Sequence, residues 1–308
     1  MKNILIGAAL AATAATGVTA QELSYGRLIA NYGMVSTPGG DADITILGAE
    51  VGIQVQEFDF WLNGTQLTLS PDGAPFNVTA DVTTIGAGYS FGGEYRVDVS
   101  STDLGLGFGG GGGINIGLDE IGIAYDNGTY FGRLSFADVN QPIPGLDGIY
   151  SLNVGYNISE EAKVSLSVHD IDESSGSIDP IYILSGEYDT GRWGVKLDAA
   201  STNLLGTDLT LVALGGNYQF NNQWGIRGAY TNIDAGGTDI DAYRLGGTYN
   251  INDTYTVYAG LTQADLGGTT IDGFNVGISM DFGSKPDSYQ TTADRLLGLV
   301  ETAGAFDY

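Results

Sequence analysis

Large apolar side chains occur at every second position along many short stretches of this chain. In NYQFNNQWGIRGAY, residues 217–230, Tyr218 and Phe220 precede a pair of asparagines, and Trp224 and Ile226 follow it. A period of two residues is that of a β-strand, whose side chains point alternately to opposite faces. Because the same alternation recurs along the chain, the sequence predicts an all-β protein with many strands.

The connections between these strands are of two kinds. Short turns rich in Gly, Asn and Asp alternate with longer segments such as 70–76 and 139–148. Short periplasmic turns and longer external loops are typical of a transmembrane antiparallel β-barrel. The connections divide the chain into 16 strands. Fourteen strands are an open alternative, because Gln56 and Glu57 offer no Gly or Pro for a turn.

The alternation changes phase at three places, which are the surroundings of Arg27, residues 47–48 and residues 119–120. A slip of one residue moves every following side chain to the other face of a sheet. An extra residue in one strand, a β-bulge, restores the original facing. The sequence therefore predicts a β-bulge at each of these places.

The first 20 residues have the features of a signal peptide. Lys2 is followed by a short apolar run and by small residues ending at Ala20, where we expect cleavage. The predicted domains are the signal peptide at 1–20, the barrel at 21–282 and a C-terminal extension at 283–308. The chain has no cysteine, so no disulfide supports the fold after export.

Charge and hydropathy exclude two classes of protein. The chain has 11 basic and 37 acidic residues, and loss of Lys2 leaves a net charge of −27, which disfavours nucleic acid as a partner. After residue 20, no stretch approaches the roughly 18 consecutive apolar residues of a membrane-spanning helix. If the chain enters a membrane, it must therefore do so as a closed barrel.

A soluble β-sandwich would also show alternation, but three features favour a barrel in lipid. The apolar faces of the strands are poor in the large aliphatic residues of a packed core. Aromatic residues cluster beside the turns. Lys and Arg residues in the strands occupy the positions between the apolar ones. Aromatic girdles at both interfaces and an apolar outer face are features of outer-membrane barrels. We therefore expect a multi-pass protein of the cell outer membrane.

Several of these features together resemble the general porins of Gram-negative outer membranes. They are the signal peptide, the 16 strands, strand ends such as YSF and YQF, and the closing strand GFNVGISMDF ending at Phe282. The resemblance implies a water-filled channel for passive diffusion of small hydrophilic solutes and ions. It also implies a homotrimer in contact with lipid and lipopolysaccharide, and recognition of the final strand by the insertion machinery. Two departures are the 26 residues after Phe282 and a short third external loop whose one acid is Asp103.

On each strand, the positions that alternate with the apolar, lipid-facing ones are predicted to face the lumen. Basic residues on strands 1, 11, 13 and 14 should form one arc, since closure makes these strands near neighbours. Acids concentrated in the external loops raise the local cation concentration, so we expect a mild cation preference. The predicted pore-lining residues are Arg27, Arg96, Arg133, Lys196, Arg227, Arg244, Glu50, Asp98, Glu187 and Asp198.

Other sites and functions have weaker support. Asp170 and Asp172 have the alternate spacing of a calcium loop, but the loop lacks the turn glycine and closing Glu, so a solvated loop is favoured. His169 is the only histidine, and spacing places no serine against it, so the chain is not predicted to be an enzyme such as a barrel hydrolase. No cofactor is predicted. An anchoring or adhesin barrel without solute flux is the main alternative function.

The extension at 283–308 differs from the barrel. Residues 292–294 can cap a short helix that carries Leu296 and Leu297. The helix can lie on the periplasmic rim, plug the pore from below or stay disordered. A periplasmic extension is the favoured interpretation.

Overall fold

A computed structural model of the protein describes residues 23–73, 77–109, 112–140, 146–173, 178–204, 206–283 and 290–300. The predicted signal peptide lies outside these residues. No helix among the described residues has the length and apolar character needed to cross a membrane.

Sixteen strands and one helix make up the described fold. The strands are β1 (Leu23–Thr37), β2 (Gly40–Val55), β3 (Phe58–Pro71), β4 (Val78–Phe91), β5 (Tyr95–Phe108), β6 (Gly112–Asp126), β7 (Tyr130–Val139), β8 (Leu146–Asn157), β9 (Ala162–Glu173), β10 (Ile181–Asp189), β11 (Trp193–Leu204), β12 (Thr207–Gln219), β13 (Trp224–Ala235), β14 (Thr238–Asn250), β15 (Tyr255–Leu266) and β16 (Thr269–Gly283). The helix is α1 (Thr292–Val300).

The strands form a closed barrel in which each strand pairs with its neighbours in the chain and β1 pairs with β16. All the pairings are antiparallel, as in the closing pair, where Leu28 lies opposite Met280. This confirms 16 strands instead of 14. The uncertain division is a two-residue turn, in which Gln56 adopts a φ of 57°, a region that usually favours glycine.

Aromatic side chains line the rim of short turns on the outside of the barrel. They meet as cross-strand pairs at ring centroid distances of 4.7 to 5.1 Å, which stabilise the sheet where it meets the membrane interface. These pairs are Tyr95–Tyr125, Tyr130–Tyr156, Tyr188–Trp193 and Trp224–Tyr249.

The predicted β-bulges at residues 47–48 and 119–120 are wrong. The pairing of β6 with β5 and with β7 runs through Asp119 and Glu120 without a shift, as does the pairing of β2 at residues 47–48. The register shifts lie elsewhere, between Leu23 and Tyr25 near the predicted Arg27 site and between Leu146 and Gly148. The change of phase therefore needs another cause.

That cause is an inversion of polarity along the strands. On β6, Ile121 is exposed on the outer face and Glu120 is buried inside, whereas farther toward the external rim Leu118 is buried inside and Asp119 is exposed outside. Other strands repeat the inversion. Their outward acids are Asp43, Asp81, Asp103, Asp138, Asp170, Asp241, Asp265 and Asp272, and their buried inward apolar residues include Ile46, Ile149 and Ile183.

The length of the strands explains the inversion. β2 has 16 residues, which at about 3.3 Å per residue is roughly 50 Å, or about 37 Å along the membrane normal at a tilt of 45°. The apolar band of such a barrel is only about 25 Å tall. The external ends of the strands therefore stand in water, where the outer face is acidic and the inner face is apolar.

Helix α1 lies inside the barrel, not outside its periplasmic rim. Ala293 packs against Leu118, Ala137 and Ile149 of the inner wall. This differs from the expectation of an extension on the periplasmic side. The sequence pattern indicated a short helix, but it did not indicate the surface against which the helix packs.

Candidate functional site

Five charged side chains form a buried cluster on the inner wall of β3, β5, β6 and β7. Arg133 donates from Nη2 to Asp98 Oδ1 and to Glu120 Oε1 at 2.7 Å each, and its Nη1 also contacts Asp98. Arg96 lies 3.3 Å from Asp59 and 3.5 Å from Asp98. The side chains of this cluster are at most 7% exposed, so water does little to screen their charges.

Neighbouring residues leave room for the two guanidinium groups of this cluster. The guanidinium of Arg96 lies over the ring of Trp61, 4.8 Å from its centroid. A Cβ atom on Gly88 would overlap Arg96, and one on Gly122 would overlap Arg133. Because Gly88 and Gly122 have no side chain, the two guanidinium groups can occupy the space beside them.

A cavity of about 640 Å³ lies in the other half of the lumen, along β1 and β10–β16. Arg27, Lys196, Arg227 and Arg244 all line it. These are the residues of the predicted basic arc, and they come from four different strands that barrel closure brings together. Carboxylates share the cavity wall, namely those of Glu187, Asp189 and Asp281.

Two basic residues of the cavity, Arg27 and Arg227, contact specific neighbours. Arg27 Nε lies 3.2 Å from Asp281 Oδ1, on the strand that closes the barrel. The guanidinium of Arg227 lies over the ring of Tyr258, 4.9 Å from its centroid. Tyr258 in turn fills the space over Gly277, where a Cβ atom would overlap its ring. The cavity wall therefore combines charged side chains with aromatic and other apolar surface.

The structure thus separates the predicted pore-lining residues into two groups. Arg96, Arg133 and Asp98 belong to the buried cluster, away from the cavity. Arg27, Lys196, Arg227, Arg244 and Glu187 line the cavity. Two acids lie beside members of this second group: Glu50 is the cross-strand partner of Arg27, and the buried Asp198 lies 3.4 Å from Lys196 Nζ.

The sequence reasoning missed two residues of the buried cluster, Asp59 and Glu120, and the adjoining Trp61. Asp59 and Trp61 alternate with the outward Phe58 and Phe60, which places them on the inner face. The sequence contained this signal, but the uncertain turn before β3 obscured it. Glu120 is inward by simple alternation with Ile121, but the assumed bulge obscured its facing.

The structure also places a serine against the only histidine. Ser151 lies opposite His169 in the β8–β9 pair, and Ser151 Oγ is 2.8 Å from His169 Nδ1. Thr292 Oγ1 of α1 donates to the same Ser151 Oγ at 2.9 Å. His169 is 1% exposed, so no substrate can reach this pair. The pair positions α1 instead of activating a nucleophile.

The weak calcium candidates lie on β9. Asp170 and Asp172 are exposed near the external end of β9, and the adjoining residues 174–177 lie outside the described ones. Within the described ranges, no group of three His, Cys, Asp or Glu residues is arranged to hold a metal ion.

The third external connection is very short. β5 continues to Phe108 and β6 begins at Gly112, so residues 109–111 alone join them. Three residues span at most about 11 Å when fully extended, which is too short for a loop that folds into the lumen and returns. Residues 110 and 111 lie outside the described ones.

The sequence and the fold both have known counterparts. Residues 76–269 match the family model described as Gram-negative porin. No curated protein matches the sequence. A triple mutant of the Rhodopseudomonas blastica porin has a TM-score of 0.52 at 14% identity, covering 84% of this chain and 100% of its own. An anion-selective porin from Comamonas acidovorans has a TM-score of 0.51 at 12% identity, covering 84% and 98%. At these identities the structural likeness concerns the fold alone.

Proposed function

Since this chain belongs to the Gram-negative porin family and is an outer-membrane channel and not an enzyme, we propose that it lets small hydrophilic solutes and ions diffuse passively through its lumen. The observation that carries the proposal is the cavity of about 640 Å³ along β1 and β10–β16, whose wall carries seven charged side chains. Charged groups and backbone there replace part of the hydration of a passing solute, which an apolar wall would not do.

Liposome swelling tests solute flux directly. Purified protein in liposomes should admit small sugars quickly and larger sugars progressively more slowly. Liposomes without protein are the control. If sugars of no size enter, an anchoring or adhesin barrel becomes the better interpretation.

The proposed selectivity is a mild preference for cations. The cavity has four basic and three acidic lining residues, so their local charges nearly cancel. The chain as a whole carries 37 acidic residues against 11 basic ones, and many acids lie at the external end of the barrel. Their summed field attracts cations to the mouth.

Reversal potentials across a planar bilayer under a KCl gradient measure this preference. We expect a small cation-selective potential in the wild type and a larger one in Arg244→Glu, which reverses one charge of the cavity. The measurement should be repeated at high salt, where screening reduces both values. An anion-selective wild type would contradict the proposal.

The proposed assembly is a homotrimer surrounded by lipid and lipopolysaccharide, inserted through recognition of the final strand. The family supports the trimer, and Phe282 near the end of β16 supplies the terminal aromatic side chain. Sedimentation of the detergent-solubilised protein should give the mass of three chains. A monomer mass would contradict the trimer but leave the channel function standing.

A further inference from the structure

We propose that helix α1 is the constriction element of this channel, docked inside the lumen and narrowing the pore from the β5–β8 wall. The inference rests on the proposed channel function, because a constriction has meaning only where solutes pass. Its carrying observation is the complete burial of the chain just before and at the helix start, since Thr291, Thr292 and Ala293 are 0%, 2% and 3% exposed.

Hydrogen bonds anchor the start of the helix to three strands. The backbone N–H of Thr292 donates to Glu120 Oε2 of β6 at 2.9 Å. The hydroxyl of Thr292 donates to Ser151 Oγ of β8 at 2.9 Å and lies 3.2 Å from Ser135 Oγ of β7. A carboxylate that accepts from the first turn of a helix is also favoured by the helix dipole. The anchor therefore joins α1 to the buried charge cluster through Glu120.

An apolar surface of the inner wall completes the docking site. Leu104, Ile116 and Val139 surround the buried residues Leu118, Ala137 and Ile149 against which Ala293 packs. Such a surface is unfavourable in a water-filled lumen, because exposed apolar area costs roughly 25 cal/mol per Å². Docking of α1 removes part of this surface from water.

The helix start is itself well formed. The side chain of Asp294 accepts from both the backbone N–H and the hydroxyl of Thr291, at 2.8 and 3.0 Å. These bonds satisfy donors at the N-terminal end that the helix cannot satisfy itself. With nine residues α1 is about 13 Å long, long enough to obstruct part of the lumen.

Position in the barrel distinguishes a constriction from a complete plug. The docking site lies on β5–β8, whereas the cavity is lined by β1 and β10–β16. None of the described residues of α1 lines the cavity, so the docked helix narrows the lumen from one side and leaves the basic side for solutes. The third external connection, with three residues, is too short to narrow the pore in its place.

Single-channel recording tests the inference on two variants. Deletion of residues 284–308 should raise conductance about twofold, because the helix and the cavity occupy opposite halves of one barrel lumen. In the full-length chain, Ala293→Asp places a charge against the apolar wall and should raise conductance toward the same value. Ala235→Asp, at the external end of β13, is the matched control and should leave conductance unchanged. Heat-modifiable electrophoretic mobility verifies that each barrel is folded.

A reversible lock makes the test sharper. The hydroxyl oxygens of Ser151 and Thr292 are 2.9 Å apart, and the chain has no native cysteine. The double variant S151C/T292C, combined with A293D, should conduct like wild type when oxidised and about twofold more when reduced. Each single cysteine variant combined with A293D should not respond to reductant.

The outcomes separate the two proposals. A conducting wild type whose conductance is unchanged in the deletion and in A293D overturns the constriction and leaves the channel function intact. Absence of conductance in the wild type and in every folded variant overturns both. A silent wild type that conducts after the deletion overturns the partial constriction, because the helix then blocks the whole pore.

Discussion

Replacement of Arg133 by methionine should destabilise the barrel strongly. In the native cluster, Arg133 contacts both carboxylate oxygens of Asp98 and one of Glu120. Without Arg133, the remaining partner of Asp98 is Arg96 at 3.5 Å. Glu120 still accepts the hydrogen bond from the backbone N–H of Thr292. Two buried carboxylates are then left without their main counter-charge.

The expected cost follows from this geometry. Breaking a buried ion pair by removing one partner costs about 3–5 kcal/mol, because the remaining charge is neither solvated nor paired. The matched control is Arg227→Met, since Arg227 lies in the cavity and packs over Tyr258. A cation–π contact at an accessible site contributes only about 0.5–1 kcal/mol.

Guanidinium titration of the detergent-solubilised barrel, followed by tryptophan fluorescence, measures both free energies of unfolding. Adding Glu120→Gln should recover part of the loss at neutral pH. If Arg133→Met and Arg227→Met lower the free energy of unfolding by the same amount, the cluster is hydrated and the reasoning is refuted.

Two further pairs of variants test the packing of the wall. Leu134→Arg should cost about 2–4 kcal/mol because its outward side chain faces hydrocarbon, whereas Asp138→Arg on the same face of β7 should change stability by less than about 0.5 kcal/mol. Equal costs in the same unfolding assay would contradict the polarity inversion. Gly122→Ala should cost about 1–3 kcal/mol because its Cβ overlaps Arg133, while Gly215→Ala, with no atom within 4 Å, should be nearly neutral. A harmless Gly122→Ala would show that the Arg133 guanidinium can move.

The architecture was largely predictable because a barrel in lipid leaves a local signal. Each strand must alternate, and each turn needs residues suited to it, so the alternation and the Gly and Asn turns gave 16 strands. The same alternation gave the facing of Arg227 and Arg244, since a charge on the outer face in hydrocarbon costs about 2–4 kcal/mol. The turn at Gln56 was the exception, because its positive φ has no signal in the residue type.

The tertiary structure decided what alternation leaves ambiguous. A change of phase at Asp119 and Glu120 has two possible causes, a bulge or a change of surroundings, and only the continuous pairing of β6 distinguishes them. Facing the lumen also does not determine exposure. Arg133 is buried in ion pairs with Asp98 and Glu120, whereas Arg227 lines a cavity, and only the packed structure shows this difference.

Where the alternation keeps one phase, the sequence by itself determined which residues point inward, because facing is a property of each strand and its solvent. Only the fold decided what those residues meet. Register placed Ser151 against His169, barrel closure placed Arg27 beside Asp281, and the return of the chain placed Thr292 on Glu120. Such contacts join residues up to 254 positions apart, and no local pattern specifies them.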